Sequence, residues 1–391
     1  MDTTAFLSLI KLRDEAAFTV LARANQLKQS GKSIINLGIG QPDFATPEPI
    51  VEAAVKALRD GAHGYTPSAG TPSCRQAVSD YIARHRGVEV PADRVLITPG
   101  GKVAMSFAMM ALFQPGAEII IPDPGFPTYG IFADYLGYQV NRYSLDPELG
   151  FSFRADEIES LLTQDTRLLI LNSPGNPTGG ASDPEQLEQL IRVLERFPNC
   201  FVLSDEIYSR LQFGCDFAPS LIGRPELEER LIILDGWSKS YAMTGWRLGW
   251  SIWPQSLIEP ASLLATHMHS CVNASGQAAG IAALSGDQSS VAAMRNSFES
   301  RRDLVVGLLN QIPGISCVQP HGAFYAFPDI SALGISAAQA QHDLLEDHGV
   351  ATIAGTSFGN NASGNLRLSF AASQADLIEG IHRISQWASN R

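Results

Sequence analysis

Leu231-Ile232-Ile233-Leu234 is followed directly by Asp235-Gly236-Trp237-Ser238-Lys239. An apolar run without alternation is typical of a strand that is buried on both faces of a sheet. The polar residues that come next lie at the carboxyl end of this strand, where open parallel α/β sheets bind their ligands. This stretch therefore predicts a layered α/β fold and indicates the sheet edge at which a site is expected.

Short apolar runs of the same kind recur along the middle of the chain. The predicted strands cover residues 95–98, 119–121, 168–171, 201–203, 231–234 and 248–253. Helical spacing of apolar residues predicts helices at 48–59, 73–85, 103–113 and 185–195. Buried strands that alternate with helices indicate an α/β fold with a mostly parallel central sheet covered by helices.

The chain length of 391 residues is more than one hydrophobic core usually spans. The C-terminal part has helical patterns at 291–310, 337–346 and from Gln374, with strands at 323–327 and 365–369. An N-terminal helix at 12–29 and a short strand at 34–38 precede the α/β pattern. We expect a large cofactor-binding domain of residues 48–291. A smaller α+β domain would combine residues 1–47 with 292–391.

Composition excludes several classes of protein. The net charge of −12 argues against binding nucleic acid through a general electrostatic field. No apolar run approaches the roughly 18 residues that a membrane-spanning helix needs. The five cysteines are scattered and never form a C-x-x-C pair, which favours free thiols over disulfides or zinc. We expect a soluble cytoplasmic protein with no metal site, nucleic acid or membrane partner.

Glycines and functional side chains follow several of the predicted strands. Gly100 and Gly101 open a helix whose amides suit an anion, and Asp205 follows an apolar strand where a buried carboxylate needs a partner. Lys239 has tryptophan and tyrosine neighbours, and partial burial would lower its pKa toward that of a nucleophilic amine. An amine, a carboxylate, hydrogen-bond donors and an anion site are together what pyridoxal phosphate (PLP) requires.

Six motifs in order resemble the class I/II aminotransferases of fold type I. Residues 236–249, Gly-Trp-Ser-Lys-Ser-Tyr-Ala-Met-Thr-Gly-Trp-Arg-Leu-Gly, are similar to the lysine signature of that family. The other five motifs are Gly40-Gln41-Pro42-Asp43-Phe44, Tyr65-Thr66-Pro67-Ser68-Ala69-Gly70, Asn176-Pro177-Thr178-Gly179, Ser204-Asp205-Glu206-Ile207-Tyr208 and Leu366-Arg367-Leu368-Ser369. The resemblance covers nearly the whole chain. It implies an aspartate-aminotransferase-like PLP enzyme that forms a homodimer with shared active sites.

The resemblance assigns a role to each matched residue around the cofactor ring. Lys239 would hold the cofactor covalently and later move a proton between substrate and cofactor. Asp205 would pair with the pyridine nitrogen, and Tyr208 and Asn176 would hydrogen-bond the ring oxygen. Phe126 would stack on the ring, at a position where many members have tryptophan.

The cofactor phosphate and the substrate carboxylate each receive their own residues from the resemblance. The phosphate ligands would be Arg247, the amides of Gly100, Gly101 and Lys102, and Tyr65 of the second subunit. Ser238, or a residue of the second subunit, would compensate for Gly236, which stands where many members have a phosphate-binding serine. Arg367 would bind the α-carboxylate of the substrate, and Gly40 and Asn176 would line the same pocket.

The implied reaction moves an amino group between an L-amino acid and a 2-oxo acid by a ping-pong mechanism. Lys102 permits an aspartate/glutamate-type substrate, or it is a solvated lysine without such a role. The alternative for the substrate is a broad range of amino acids. A pocket for an aromatic or aliphatic side chain would instead be lined by Phe18, Phe126, Tyr129 and Phe324. A PLP-dependent β-lyase, or another carbanion enzyme on the same fold, is the alternative activity.

Overall fold

The computed structural model describes residues 12–391 and so leaves residues 1–11 of the expected small domain outside the described part. Its helices are α1 (Ala16–Gln29), α2 (Glu48–Arg59), α3 (Pro72–Arg86), α4 (Gly101–Leu112), α5 (Pro127–Leu136), α6 (Ala155–Leu161), α7 (Pro184–Leu194), α8 (Trp237–Ser240), α9 (Gln255–His269), α10 (Ala274–Ser285), α11 (Ser289–Leu309), α12 (Ala337–Glu346) and α13 (Gln374–Ser389). Its strands are β1 (Ile35–Asn36), β2 (Val95–Thr98), β3 (Glu118–Asp123), β4 (Gln139–Ser144), β5 (Thr166–Asn172), β6 (Phe201–Asp205), β7 (Leu231–Gly236), β8 (Gly249–Ile252), β9 (Tyr325–Ala326), β10 (Val350–Ala351), β11 (Ile353–Ala354) and β12 (Leu366–Ser369).

A seven-stranded sheet forms the centre of the molecule, with the strand order β2-β8-β7-β6-β5-β3-β4. Neighbouring strands are parallel except at β8, which runs antiparallel to both β2 and β7. Because Gly236 of β7 is paired with Gly249 of β8, the chain between them leaves and rejoins the sheet at one place. The mostly parallel sheet confirms the predicted fold class.

Side chains of the central strands alternate between two hydrophobic clusters. Leu169 and Ile233 belong to one cluster, whereas their neighbours Ile170 and Ile232 belong to the other. Since successive side chains of a strand point to opposite faces, both faces of the sheet are buried under helices. This arrangement explains why these strands have continuous apolar sequences.

The C-terminal part packs around a separate core of its own. Strands β11, β12 and β9 form a three-stranded antiparallel sheet, and β1 pairs in parallel with β10. The buried residues of this core include Phe298 of α11, Leu368 of β12 and Ile381 of α13. The N-terminal strand thus joins the C-terminal elements.

Several elements differ from the sequence prediction; strands β10 and β11, for example, were not predicted. Helix α1 begins at Ala16 rather than at Leu12, and Glu15 has extended backbone angles. Strand β4 was not predicted, because it is an edge strand in which only Tyr143 is buried and the apolar pattern is therefore weak. Within the part of the chain that the structure describes, no helix has the length and apolar character needed to cross a membrane.

Candidate active site

The functional residues predicted from strand ends meet at one edge of the central sheet. The registers place Asn172 beside Asp205 and Asp205 beside Leu234, so the carboxyl ends of β5, β6 and β7 are adjacent. Lys239 follows β7 on the short helix α8. The turn at Gly100 follows β2, two strands further along the sheet. The parallel arrangement thus brings together residues that are far apart in sequence.

Lys239 is held with its amine among aromatic rings. Its Nζ donates a hydrogen bond to the carbonyl oxygen of Gly40 at 2.7 Å. The same Nζ lies 5.9 Å from the ring centre of Tyr208 and 5.8 Å from that of Phe324. Burial, reinforced by the positive charge of Arg367, lowers the pKa of Lys239 to about 8. A larger fraction of this amine is therefore uncharged and nucleophilic at neutral pH than for an ordinary lysine.

Asp205 is a buried carboxylate at the end of β6, with 8% of its surface exposed. Its Oδ2 accepts a hydrogen bond from the hydroxyl of Tyr129 at 2.6 Å, and its Oδ1 accepts one from the amide of Ile207 at 3.3 Å. Burial raises the pKa of Asp205 to about 6, although both hydrogen bonds act in the opposite direction. Between residues 12 and 391, no lysine or arginine forms a salt bridge with it.

Replacing Tyr129 by phenylalanine should destabilise the cofactor-free protein more at pH 8 than at pH 5. The pKa of Asp205 is higher in the folded protein than in the unfolded chain. The protonated carboxyl therefore contributes to the free energy of unfolding at pH values below its unfolded pKa, and this contribution is lost as the pH rises through about 6. Without the Tyr129 hydroxyl, the ionised carboxylate loses its shortest hydrogen bond. We expect a loss of about 1–3 kcal/mol at pH 8 in urea unfolding, and a smaller loss at pH 5.

Tyr143→Phe is the matched control, because Tyr143 is a buried phenol that donates to the carbonyl of Ile170 at 3.0 Å and not to a carboxylate. Its cost should be the same at both pH values. Equal costs at pH 5 and pH 8 for Tyr129→Phe as well would show that its hydroxyl does not act on the ionised form of Asp205.

Gly100 and Arg247 lie in close contact at the start of α4. Gly100 has φ of 89°, and a Cβ there would lie 2.3 Å from Nη2 of Arg247, so only glycine fits. Arg247 is itself left-handed, with φ of 51°, and its Nη1 donates to the carbonyl of Thr244 at 2.9 Å. The first N–H groups of α4, including those of Gly101 and Lys102, have no intrahelical acceptor. A guanidinium beside free amides can hold a phosphate-like anion.

Arg367 of β12 lies across from this cradle, with only 3% of its surface exposed. Its Nη1 donates to Oδ1 of Asn176 at 2.8 Å, and its Nη2 donates to the carbonyl of Gly38 at 2.5 Å. The guanidinium lies between the rings of Tyr325 and Phe358, at 4.6 and 4.8 Å from their centres. Its Nε is buried without a hydrogen-bond partner in the described part of the chain. This planar cation is positioned to bind a carboxylate.

Tyr208, Gly40 and Tyr325 pack against one another beside Lys239. The hydroxyls of Tyr208 and Tyr325 are hydrogen-bonded at 2.8 Å. A Cβ on Gly40 would lie 2.1 Å from the hydroxyl oxygen of Tyr325, so this position accepts only glycine without a rearrangement. The site thus contains three residues whose contacts the sequence analysis did not predict. Tyr129 contacts Asp205, and Tyr325 and Phe358 contact Arg367. Of these three residues, only Tyr129 had a signal in the sequence, because it lies in the first turn of the helix that follows β3.

Three further predicted site residues have the following positions. Tyr65 has 93% of its surface exposed, and Ser238 is buried next to Lys239 on α8. The ring of Phe126 lies 5.2 Å from Nζ of Lys102, at the start of α5. Lys102 forms an ion pair with Glu15, which the sequence did not predict.

Three of the four residues that would line a pocket for an aromatic or aliphatic side chain have other surroundings in the structure. Tyr129 is committed to Asp205, and Phe324 is fully buried against Phe298 and Tyr208. Phe18 lies on α1 with 59% of its surface exposed. Within residues 12–391, no group of three or more histidine, cysteine or acidic side chains has an arrangement that could hold a metal ion.

Comparison with known proteins agrees with this geometry. The family model for aminotransferase class I and II matches residues 32–384. The chain belongs to the class I and II aminotransferases.

Relatives of this aminotransferase match it over almost their whole length. Aspartate aminotransferase of Streptomyces avermitilis is 38% identical, with 97% of this chain and 95% of that protein covered. The crystal structure of aspartate aminotransferase from Rhizobium meliloti has a TM-score of 0.92 and 34% identity, with 96% of each chain covered. The structure of alanine aminotransferase from Pyrococcus furiosus has a TM-score of 0.90 and 31% identity, with 97% of this chain and 98% of that chain covered.

Proposed function

We propose that this aminotransferase uses PLP to move an amino group between an L-amino acid and a 2-oxo acid by a ping-pong mechanism. The observation that carries the proposal is the meeting of three groups at one sheet edge. These groups are the lowered-pKa amine of Lys239, the buried carboxylate of Asp205 and the cradle of Gly100 and Arg247.

The described residues fit PLP. Among residues 12–391, the buried Asp205 carboxylate accepts hydrogen bonds only from neutral donors, so a protonated pyridine nitrogen would supply the charge partner that burial demands. Gly100 allows backbone amides and the Arg247 guanidinium to converge within reach of one phosphate. Phe126 would stack on the ring, and Tyr208 and Asn176 would donate hydrogen bonds to its oxygen. Gly101, Lys102, Ser238 and Tyr65 of the second subunit would complete the phosphate site.

PLP supplies an electron sink for negative charge that develops at the substrate Cα. Asp205 would hold the ring nitrogen in its protonated form and thereby support that sink. The amine of Lys239 would accept the proton from the substrate Cα and carry it toward the bound cofactor. Its pKa near 8 suits both directions of this transfer at neutral pH. These roles make Lys239, Asp205 and Tyr208 the proposed catalytic residues.

Arg367 binds the α-carboxylate of the substrate in this proposal, with Gly40 and Asn176 lining the pocket. The rings of Tyr325 and Phe358 both pack close to the guanidinium, so few of its orientations remain accessible. A carboxylate bound by two parallel N–H groups has a fixed orientation. A fixed carboxylate would also fix the direction of the Cα–H bond, as proton removal requires.

The proposed substrates are L-amino acids and 2-oxo acids of the aspartate/glutamate type or of a broad range. Support comes from the names of the relatives, which include both aspartate and alanine aminotransferases. The side chain of Lys102 at the mouth of the site would be the group that favours an acidic substrate.

We further propose a homodimer in which Tyr65 contacts the phosphate bound by the second subunit. The neighbouring Thr66 is fixed, because its hydroxyl donates to the carbonyl of Val272 at 2.9 Å and accepts from Gln277 at 3.0 Å. A firmly held backbone that presents an exposed tyrosine is typical of a subunit contact. Residues 48–291 would form the large domain, and residues 1–47 with 292–391 the small one. The free cysteines support a cytoplasmic location.

An absorbance spectrum of the purified protein with added PLP tests the proposed function. Binding through Lys239 should give a visible band that L-glutamate removes, and a 2-oxo acid should then restore it. If the visible band returns only when the oxo acid is present, the reaction is transamination and not the β-lyase activity, because a lyase needs no acceptor. A band that neither glutamate nor any other amino acid changes would contradict the aminotransferase half-reaction. No band after addition of PLP would contradict the cofactor.

A further inference from the structure

Glu15 lies at the mouth of the site, immediately before α1. Its side chain does not cap that helix. Instead, Oε1 of Glu15 accepts a hydrogen bond from the hydroxyl of Thr128 at 3.0 Å and forms an ion pair with Nζ of Lys102. Lys102 follows the Gly100-Gly101 turn, and Thr128 lies in the first turn of α5. The carboxylate of Glu15 therefore connects the N-terminal segment to both helices that border the site.

This ion pair lies beside a residue of the proposed cofactor site. Nζ of Lys102 lies 5.2 Å from the ring centre of Phe126, the residue proposed to stack on the cofactor. The negative charge of Glu15 acts on the guanidinium of Arg367, and the positive charge of Lys102 acts on the amine of Lys239. The pair thus lies close enough to the substrate position to act on a charged side chain there.

We propose that Glu15 is a specificity-determining residue that occupies Lys102 and so reduces the preference for dicarboxylic over uncharged amino acids. This inference rests on the proposed aminotransferase function. The distal carboxylate of aspartate can pair with Lys102 only if Glu15 gives up that contact, and two carboxylates would then share one amine. An uncharged side chain such as that of alanine leaves the ion pair intact. The enzyme should therefore accept both classes of donor.

Glu15→Gln tests this proposal, because glutamine keeps the size and the Thr128 contact but removes the charge. We expect the ratio of kcat/KM for L-aspartate to that for L-alanine to rise roughly three- to fivefold, which is the range for a partly exposed ion pair. Calorimetric titration with maleate, a dicarboxylate that cannot be aminated, should show tighter binding by the same factor. The titration reads the charge of the subsite without turnover.

Asp14→Asn is the matched control, since it removes one negative charge from the adjacent, exposed residue. It should leave the substrate ratio and maleate binding unchanged. In a Lys102→Met background, Glu15→Gln should no longer raise the ratio, because the double-mutant cycle isolates the contact between the two side chains.

The outcomes separate the two proposals. One outcome would overturn the role of Glu15 but not the proposed function. In it, the wild type turns over its donors, while Glu15→Gln shows an unchanged or lowered ratio of kcat/KM for L-aspartate to that for L-alanine and unchanged maleate binding. A gain that persists without Lys102 would overturn the role of Glu15 as well. Absence of wild-type turnover with any donor would instead contradict the proposed function, and maleate binding would still report on Glu15.

Discussion

Replacement of Lys239 by alanine should lower transamination by roughly five orders of magnitude or more, as expected when the covalent catalytic group of an enzyme is removed. Lys239 is the group proposed both to bind the cofactor covalently and to move the Cα proton. Its amine lies 2.7 Å from the carbonyl of Gly40 and next to Tyr208. No other lysine of residues 12–391 follows the end of β7.

Lys239→Arg provides the matched control for this experiment. It keeps a cation at the same position but cannot form the covalent bond at neutral pH, since the pKa of a guanidinium is far above that of the Lys239 amine. Both variants should lose the visible band and the activity, while added PLP still binds through the anion cradle. Activity within tenfold of wild type in either variant would show that Lys239 is not the catalytic amine.

The pH dependence of cofactor attachment gives a second measure of the same residue. With a pKa of about 8, roughly a tenth of the Lys239 amine is uncharged at pH 7. The rate at which the visible band appears after PLP is added should therefore rise with pH and level off above about pH 8. A rate that continues to rise steeply toward pH 10 would indicate a lysine with an ordinary pKa.

Replacement of Arg367 by alanine should lower kcat/KM for amino acids by about 10³-fold, corresponding to the 2–5 kcal/mol that removal of one partner of a buried charge pair costs. The effect should fall mainly on KM, because Arg367 is the group proposed to bind the substrate carboxylate. The visible band should remain, since the cofactor residues lie on the other sheet.

Arg367→Lys and a donor without an α-carboxylate complete this test. Lysine keeps the charge but not the planar pair of N–H groups, so its loss should be smaller than that of alanine but still measurable. With a simple primary amine as donor, wild type and variants should react at similar low rates. An equal loss for the amine would mean that Arg367 supports the fold or the cofactor rather than the carboxylate.

Sequence patterns were sufficient for six of the seven strands of the central sheet and for the residues that follow them. Asp205 and Lys239 could be placed at one edge because parallel strands end on the same side and their apolar runs are unmistakable. The contact of Tyr129 with Asp205 joins residues 76 positions apart, and that of Arg367 with Asn176 joins residues 191 apart. Contacts at such separations depend on how helices and sheets pack, which local patterns do not specify.

The start of α1 shows a different limit. Apolar spacing predicted helix from Leu12, but the chain stays extended up to Glu15, whose carboxylate binds Lys102 and Thr128. A tertiary ion pair here competes with one turn of helix, whose own stability is marginal. The sequence alone therefore did not identify the charge that faces Lys102.

The pairing of Gly236 with Gly249 has a mechanical consequence. Lys239 and Arg247 both lie in the excursion that this pairing closes, so the spacing between them is set locally by the seven-stranded sheet. Arg367 belongs to the three-stranded sheet instead. A rigid-body rotation of one sheet against the other changes the gap between Arg367 and Lys239 while the gap between Lys239 and Arg247 stays constant. In the proposed function, such a rotation would weaken amino-acid binding at Arg367 without weakening cofactor binding at Lys239 and Arg247.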